Sequence, residues 1–178
     1  MKSHVFYNIL VTALTVFTAI IAILLVGVKL FGITPYVIMS PSMEPEYNTG
    51  SIVYVRKIDA HAIKPGDVIT FRLNDDSAAT HRVTEITESG GELLFRTKGD
   101  ANRQEDSLPL RESDIIGKVV LSIPLLGYIA SFIDTSVGKT VTIVYGMILL
   151  MLIVFTDYVE KRGKRTEINE TNSKSMRY

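Results

Sequence analysis

Two long uncharged apolar runs, standing near opposite ends of the chain, constrain this sequence more than any other feature. The first, Val5 to Val28, holds 24 residues without a formal charge and includes the dense stretch Ile20-Ile21-Ala22-Ile23-Leu24-Leu25-Val26. At a helical rise of ~1.5 Å per residue it covers ~36 Å, enough for a bilayer core of ~30 Å. Its rival reading is a cleaved secretory signal with Lys2 as the basic start. The run is long for that and no Ala-x-Ala site closes it, so an uncleaved anchor is expected. The second run, Thr140 to Thr156, has 17 charge-free residues, at the short end for a span. Lys139 can snorkel outward to lengthen it, and the cluster Lys161-Arg162-Gly163-Lys164-Arg165 beyond it reads as a cytoplasmic end. A buried or interfacial helix is the plainer reading of this run. With both spans in place, both termini are cytoplasmic and the region between them lies outside. The expected layout is an N-terminal transmembrane anchor over 1–30, an extracytoplasmic domain over 31–138, a second transmembrane helix over 139–157 and a basic cytoplasmic tail over 158–178. The polar part of that tail, from Thr166 to Tyr178, is expected to be disordered.

The chain has 178 residues, enough for one modest domain plus anchors. It has no Cys, which removes disulfides, thiolate metal sites and a cysteine nucleophile. Its three histidines, His4, His61 and His81, are far apart in the sequence, so neither a metal centre nor any other cofactor is expected. The formal net charge is zero, but from Phe31 to Gly138 there are 10 Lys/Arg against 15 Asp/Glu, and from Tyr158 onward 6 against 3. An acidic central region speaks against nucleic-acid binding. A basic segment following an apolar run points to a lipid bilayer.

The central region reads as mainly β. Ile52-Val53-Tyr54-Val55, Val68-Ile69-Thr70-Phe71, His81 to Thr87, Leu93 to Thr97 and Ile115 to Leu121 are short runs rich in β-branched and aromatic residues. Turn residues such as Pro65-Gly66-Asp67 and Ser89-Gly90-Gly91 separate them. No soluble helix is evident. The apolar segment Val119 to Ala130 is interrupted by Pro124 and Gly127, which argues against a third span. Burial in the domain and shallow contact with the bilayer both remain open for it.

Candidate chemistry begins at Ser40-Pro41-Ser42-Met43-Glu44-Pro45. Two prolines make a stiff, non-helical turn, which suits a nucleophile whose hydroxyl must point one way, although a Pro-Ser loop leaving a membrane helix is the plainer reading. A serine hydroxyl needs a base, and His81 is better placed than His61, which reads as surface loop. If His81 to Thr87 and the strand from Glu92 form a hairpin, Thr87 faces Glu92 and His81 lies opposite Lys98, within a residue or two. The acidic loop beginning Gly99-Asp100-Ala101-Asn102 then returns beside the histidine, where a carboxylate could orient the ring. Asp100, Glu105 and Asp106 are the three candidates.

Taken together, Ser40-Pro41-Ser42-Met43-Glu44-Pro45, Gly66-Asp67-Val68-Ile69, His81-Arg82-Val83 and Thr97-Lys98-Gly99-Asp100-Ala101-Asn102 resemble the successive boxes of type I signal peptidases, over about Tyr36 to Tyr128. In the common bacterial members a lysine precedes the Arg-Val pair. His81 in that place resembles the endoplasmic-reticulum type, shared by eukaryotic signal peptidase complex catalytic subunits, archaeal enzymes and a minority of enzymes in spore-forming bacteria. The resemblance implies a LexA-like β-rich catalytic domain, with Ser42 as nucleophile and His81 as general base. Asp106 would be the triad acid, Asp100 a supporting aspartate and Ser40 the hydroxyl donor to the oxyanion. It further implies removal of signal peptides from secretory preproteins with small residues before the cut, together with contacts to secretion machinery. Pro41 replaces the glycine often found between the two serines. A LexA-like self-cleaving regulator would call for a Ser-Lys pair, and a non-catalytic membrane assembly subunit need not keep Ser42, His81, Asp100 and Asp106 together.

Overall fold

A computed structural model describes residues 2–74 and 77–175. The chain divides into two compact units: α1 up to Ala22 together with the chain from Thr135 onward, and Ile23–Asp134.

The helical unit holds most of α1 (Lys2–Leu25) and α3 (Ser136–Ser175). The segments Phe6–Leu25 and Ser136–Val159 are each long and apolar enough to cross a membrane. Thr15 donates to the Val11 carbonyl at 2.8 Å and Thr142 to that of Gly138 at 2.8 Å, the usual solution for a hydroxyl in an apolar helix. Thr18 Oγ1 lies 2.7 Å from Tyr145 Oη, a polar contact between the two helices. α3 does not stop at the end of its apolar segment. It runs to Ser175, so the polar segment from Thr166, expected to lack structure, is helical to that point. No proline follows Pro124, and a Lys161–Asp157 ion pair of 2.7 Å supports the first polar turn.

The second unit is a seven-stranded antiparallel sheet: β1 (Ile33–Val37), β2 (Ile52–Arg56), β3 (Val68–Asn74), β4 (Ser77–Ser89), β5 (Glu92–Lys98), β6 (Leu110–Arg111) and β7 (Ile115–Ile123). Their order across the sheet is β1-β2-β7-β3-β4-β5-β6. The mainly β architecture flanked by apolar helices is the one expected. β7 enters between β2 and β3, so the two ends of the domain's chain are held in one sheet. Pro35 is tolerated in β1 because that strand is an edge, where one side of the backbone needs no ladder partner. Two apolar clusters fill the interior, one around Met43, Val53, Val55 and Val119, the other around Ile69, Phe71, Val83 and Phe95. Each fully buried side chain of this size stabilises the fold by about 1.5–3 kcal/mol.

Two expectations need correcting. In the β4–β5 hairpin Ser89, not Thr87, faces Glu92, because the connection is only Gly90-Gly91. A register shift between Val83 and Glu85 then gives one residue back, so Arg82 pairs with Lys98 and His81 lies one residue from it, within the expected range. The unit also contains a helix, α2 (Leu126–Asp134), where no soluble helix was evident. Pro124 lies outside it and Gly127 in its first turn, so neither breaks it. Leu125, at φ 64°, makes the sharp bend from β7 into α2.

Candidate active site

Ser42 sits in a single 3₁₀ turn, Pro41–Met43, that follows extended Ser40. Pro41 occupies the first position, where a missing N–H costs nothing. Met43 is buried in the apolar core and anchors the turn from below. From above, the Ala101 N–H donates to the Ser42 carbonyl at 2.9 Å. The loop approaches so closely that a Cβ on Gly99 would lie 2.6 Å from that carbonyl oxygen. Glycine there is a steric requirement of the site.

His81 projects from β4. Its Nε2 is 3.3 Å from Ser42 Oγ, and its Nδ1 is 2.6 Å from Asp106 Oδ2. The Phe71 ring packs edge-on to the imidazole at 5.9 Å between centroids. This leaves the histidine mostly enclosed with one nitrogen toward the serine, the geometry in which an imidazole can take a hydroxyl proton while a carboxylate fixes its tautomer. Ser40 Oγ is 3.1 Å from Ser42 Oγ.

The structure separates the three candidate carboxylates. Asp106 is on His81. Asp100 receives a bidentate pair from Arg82, at 2.8 Å from Nε and 2.7 Å from Nη2. Glu105 faces Arg96 at 3.6 Å. Arg82 also donates to the Gly66 carbonyl at 2.8 Å, and its hydrogen bonds to Asp100 raise its pKa above the usual arginine value. Asp100 thus ties the loop of residues 99–102 to β4 and does not touch the histidine. His61 is exposed on the 3₁₀ turn Ala60–Ala62 and takes no part.

Thr97 is a site residue that sequence reasoning passed over. It is 0% exposed, and its hydroxyl donates to Asp106 Oδ2 at 2.6 Å, the same oxygen that faces His81. The Asp106 N–H in turn donates to the Thr97 carbonyl at 2.9 Å. Nothing in Thr97-Lys98-Gly99-Asp100 marks the threonine as special. Only its register, inward on β5 opposite Val83, places it there.

Ser40, Ser42, His81 and Asp106 line an open groove of about 1110 Å³, with Phe71, Leu73 and Leu108 among its apolar walls. Outside the groove lining, Lys118 on β7 pairs with Asp67 at 2.6 Å. Burial pushes the Asp67 carboxyl up, but the bonds from Lys118 and from the Lys64 N–H outweigh this and hold it below the ordinary value.

Residues 10–93 match the family described as signal peptidase, peptidase S26, a stretch that takes in Ser42 and His81. The chain is 42% identical over 110 residues to signal peptidase I W of Bacillus subtilis (strain 168), covering 56% of this chain and 58% of that protein. It is 36% identical over 110 residues to the signal peptidase complex catalytic subunit SEC11 of Lachancea thermotolerans, covering 55% of this chain and 64% of that one. Against the SEC11 subunit of Scheffersomyces stipitis the identity is 32% over 127 residues, 66% of this chain and 73% of the relative. The chain thus spans less than two thirds of the length of the first two relatives and more of the third.

Proposed function

The chain belongs to the signal peptidase family, peptidase S26, and on that premise we propose that it is a membrane-bound serine endopeptidase that removes N-terminal signal peptides from secreted preproteins. The observation that carries this reading is the line of three groups, Ser42 Oγ to His81 Nε2 at 3.3 Å and His81 Nδ1 to Asp106 Oδ2 at 2.6 Å. His81 takes the proton from Ser42 Oγ as that oxygen bonds to the scissile carbonyl carbon. The Ser42 N–H and the Ser40 hydroxyl receive the oxyanion, each donor contributing about 3 kcal/mol to the barrier reduction. His81 then protonates the leaving amine, and water, activated by the same nitrogen, hydrolyses the acyl-enzyme. Asp106 holds the imidazole tautomer and offsets its charge. Thr97 holds Asp106. Asp100 acts at one remove, by fixing through Arg82 the loop that clamps the Ser42 carbonyl.

The substrate would lie extended in the groove, with small residues before the cut. Both spans cross the bilayer, both ends face the cytoplasm and the sheet unit lies outside. Ser42 follows Leu25, the end of the first apolar helix, by 17 residues, a reach of at most ~60 Å. Membrane-held preproteins present their cleavage sites within that range. Secretory preproteins and the lipid bilayer are the partners this requires.

The test is cleavage of a preprotein by the full chain reconstituted in vesicles, with the new N-terminus sequenced. Wild type should release a mature product beginning after a small residue, and His81→Ala should not. Undiminished cleavage by His81→Ala would refute the mechanism. Absence of cleavage by wild type under conditions that preserve its fold would favour a non-catalytic assembly subunit.

A further inference from the structure

The turn that clamps Ser42 ends in a side chain with nothing to hold. Thr97 and Asp100 each have a bonding partner, but the Asn102 carboxamide bonds to no described residue. Its backbone is fully engaged. The Asn102 N–H donates to the Gly99 carbonyl at 2.9 Å and closes a tight turn. One residue back, the Ala101 N–H donates to the Ser42 carbonyl at 2.9 Å, and before it Asp100 is locked to Arg82. Three consecutive residues are tied down, so the asparagine side chain stands on a fixed base.

Its position follows from Gly99. A Cβ there would lie 2.6 Å from the Ser42 carbonyl oxygen and 2.8 Å from the Asn102 amide. The carboxamide and the backbone of the nucleophile are therefore neighbours, separated by one glycine. The side chain is half-buried and belongs to the wall of the groove that holds Ser40, Ser42 and His81. Among the described residues no fully buried side-chain nitrogen or oxygen lacks a partner. The unbonded carboxamide is thus open, and the space it borders is the groove. An asparagine loose in water would need no explanation. This one is fixed by a rigid turn beside the reacting serine, where an extended substrate would replace the water around it.

A carboxamide carries a donor and an acceptor in one plane, the same pair that a peptide group offers. Being neutral, it has no charge with which to select among side chains. We propose that Asn102 is a substrate-binding residue that hydrogen-bonds a main-chain peptide group of the preprotein close to the scissile bond. Ser42 and His81 act on that bond, and Asn102 fixes the register of the chain that passes them. Such a contact serves clients of different sequence equally, because every one of them has the same backbone.

The inference rests on the reading of the chain as a peptidase, and the test separates the two. The full chain is assayed on synthetic peptides that span a cleavage site, with one amide at a time replaced by an ester. The ester removes one N–H and weakens one carbonyl acceptor while leaving every side chain in place. At one ester position near the cut, wild type should lose about three- to tenfold in kcat/KM, the worth of a neutral hydrogen bond. Asn102→Ala should lose a similar factor on the all-amide peptide and nothing further at that position, while the other esters affect both proteins alike. Asn102→Leu keeps volume beside Gly99 without donor or acceptor, and it should repeat the alanine pattern. The Tm of both variants should match wild type, since no hydrogen bond of the fold is removed. Additive losses at every ester position would overturn the proposal. A lowered Tm with equal loss on all peptides would do so too, by making Asn102 a residue of the fold alone. Wild type that cleaves the peptides, matched at every position by both variants, would sink this inference and leave the peptidase reading standing. Wild type that cleaves none of them would overturn both.

Discussion

The loop that leaves β5 carries two carboxylates six residues apart, and their surroundings assign them different work. Asp106 is met by a neutral hydroxyl and an imidazole, Thr97 at 2.6 Å and His81 at 2.6 Å. Asp100 is met by a permanent cation in bidentate geometry, Arg82 at 2.7 and 2.8 Å. A carboxylate locked to guanidinium has its charge already answered and can serve only as a brace. A carboxylate whose strongest partner is an imidazole has charge to offer when that ring is protonated. The two stations share one loop, so the Arg82–Asp100 pair and the Asp106–His81 contact are held on the same segment.

This contrast is sharpest in Asp106→Asn. The amide keeps the shape but selects the wrong tautomer, and kcat should fall by about 10³–10⁴ with little change in Tm. Equal loss of Tm and activity would erase the distinction between the stations. Asp100→Asn should show the reverse pattern. Thermal unfolding should reveal a loss of about 1–3 kcal/mol, because a half-buried guanidinium loses its partner. Activity per folded molecule should drop less than in Asp106→Asn, and the pH profile should keep its shape.

Thr97 offers a finer probe. Thr97→Val keeps the volume and removes the donor to Asp106, and a hydrogen bond to a charged group is worth about 1.5–3 kcal/mol, or ten- to a hundredfold in kcat if all of it is felt at the barrier. Thr97→Ser should recover most of the loss, and the acid limb of the pH–rate profile should move in the valine variant only. A purely structural threonine would lower stability without moving that limb. The smallest effect belongs to the Asp67–Lys118 pair, remote from the reacting atoms. The folded-state pKa of Asp67 is lowered, so its contribution to stability is present above the unfolded carboxyl value and is lost as pH falls through the folded one. Denaturant unfolding from pH 7 into the acid range should show a shallower decline for Asp67→Asn than for wild type.

Much of this architecture was legible in the residues. Apolar runs without charge announce long apolar helices, and β-branched runs such as Ile52-Val53-Tyr54-Val55 announce buried strands. What escaped was decided by local geometry. β1 was hidden by Pro35, acceptable only because the strand proved to be an edge. α2 was hidden by Pro124 and Gly127, which read as breakers until their positions relative to the helix start are known. The hairpin register was offset by the two-residue Gly90-Gly91 connection, and a bulge that no residue type foretells gave part of it back. The motif string nominated Ser42, His81, Asp100 and Asp106, but spacing left three carboxylates eligible as the partner of the histidine. Their sorting depends on where Arg82 and Arg96 point. Thr97 was invisible because a buried strand threonine looks the same whether it meets a carboxylate or another threonine, as Thr70 meets Thr80 at 2.8 Å.

The most direct test of the whole account is processing of a secretory preprotein in membranes by wild type and by Ser42→Ala, with insertion and abundance of both proteins checked. The account predicts that mature product disappears in the variant while the protein remains inserted at normal level. Unchanged processing by an inserted Ser42→Ala protein would contradict it and would reduce the Pro41–Met43 turn to a rigid link between a membrane helix and a sheet.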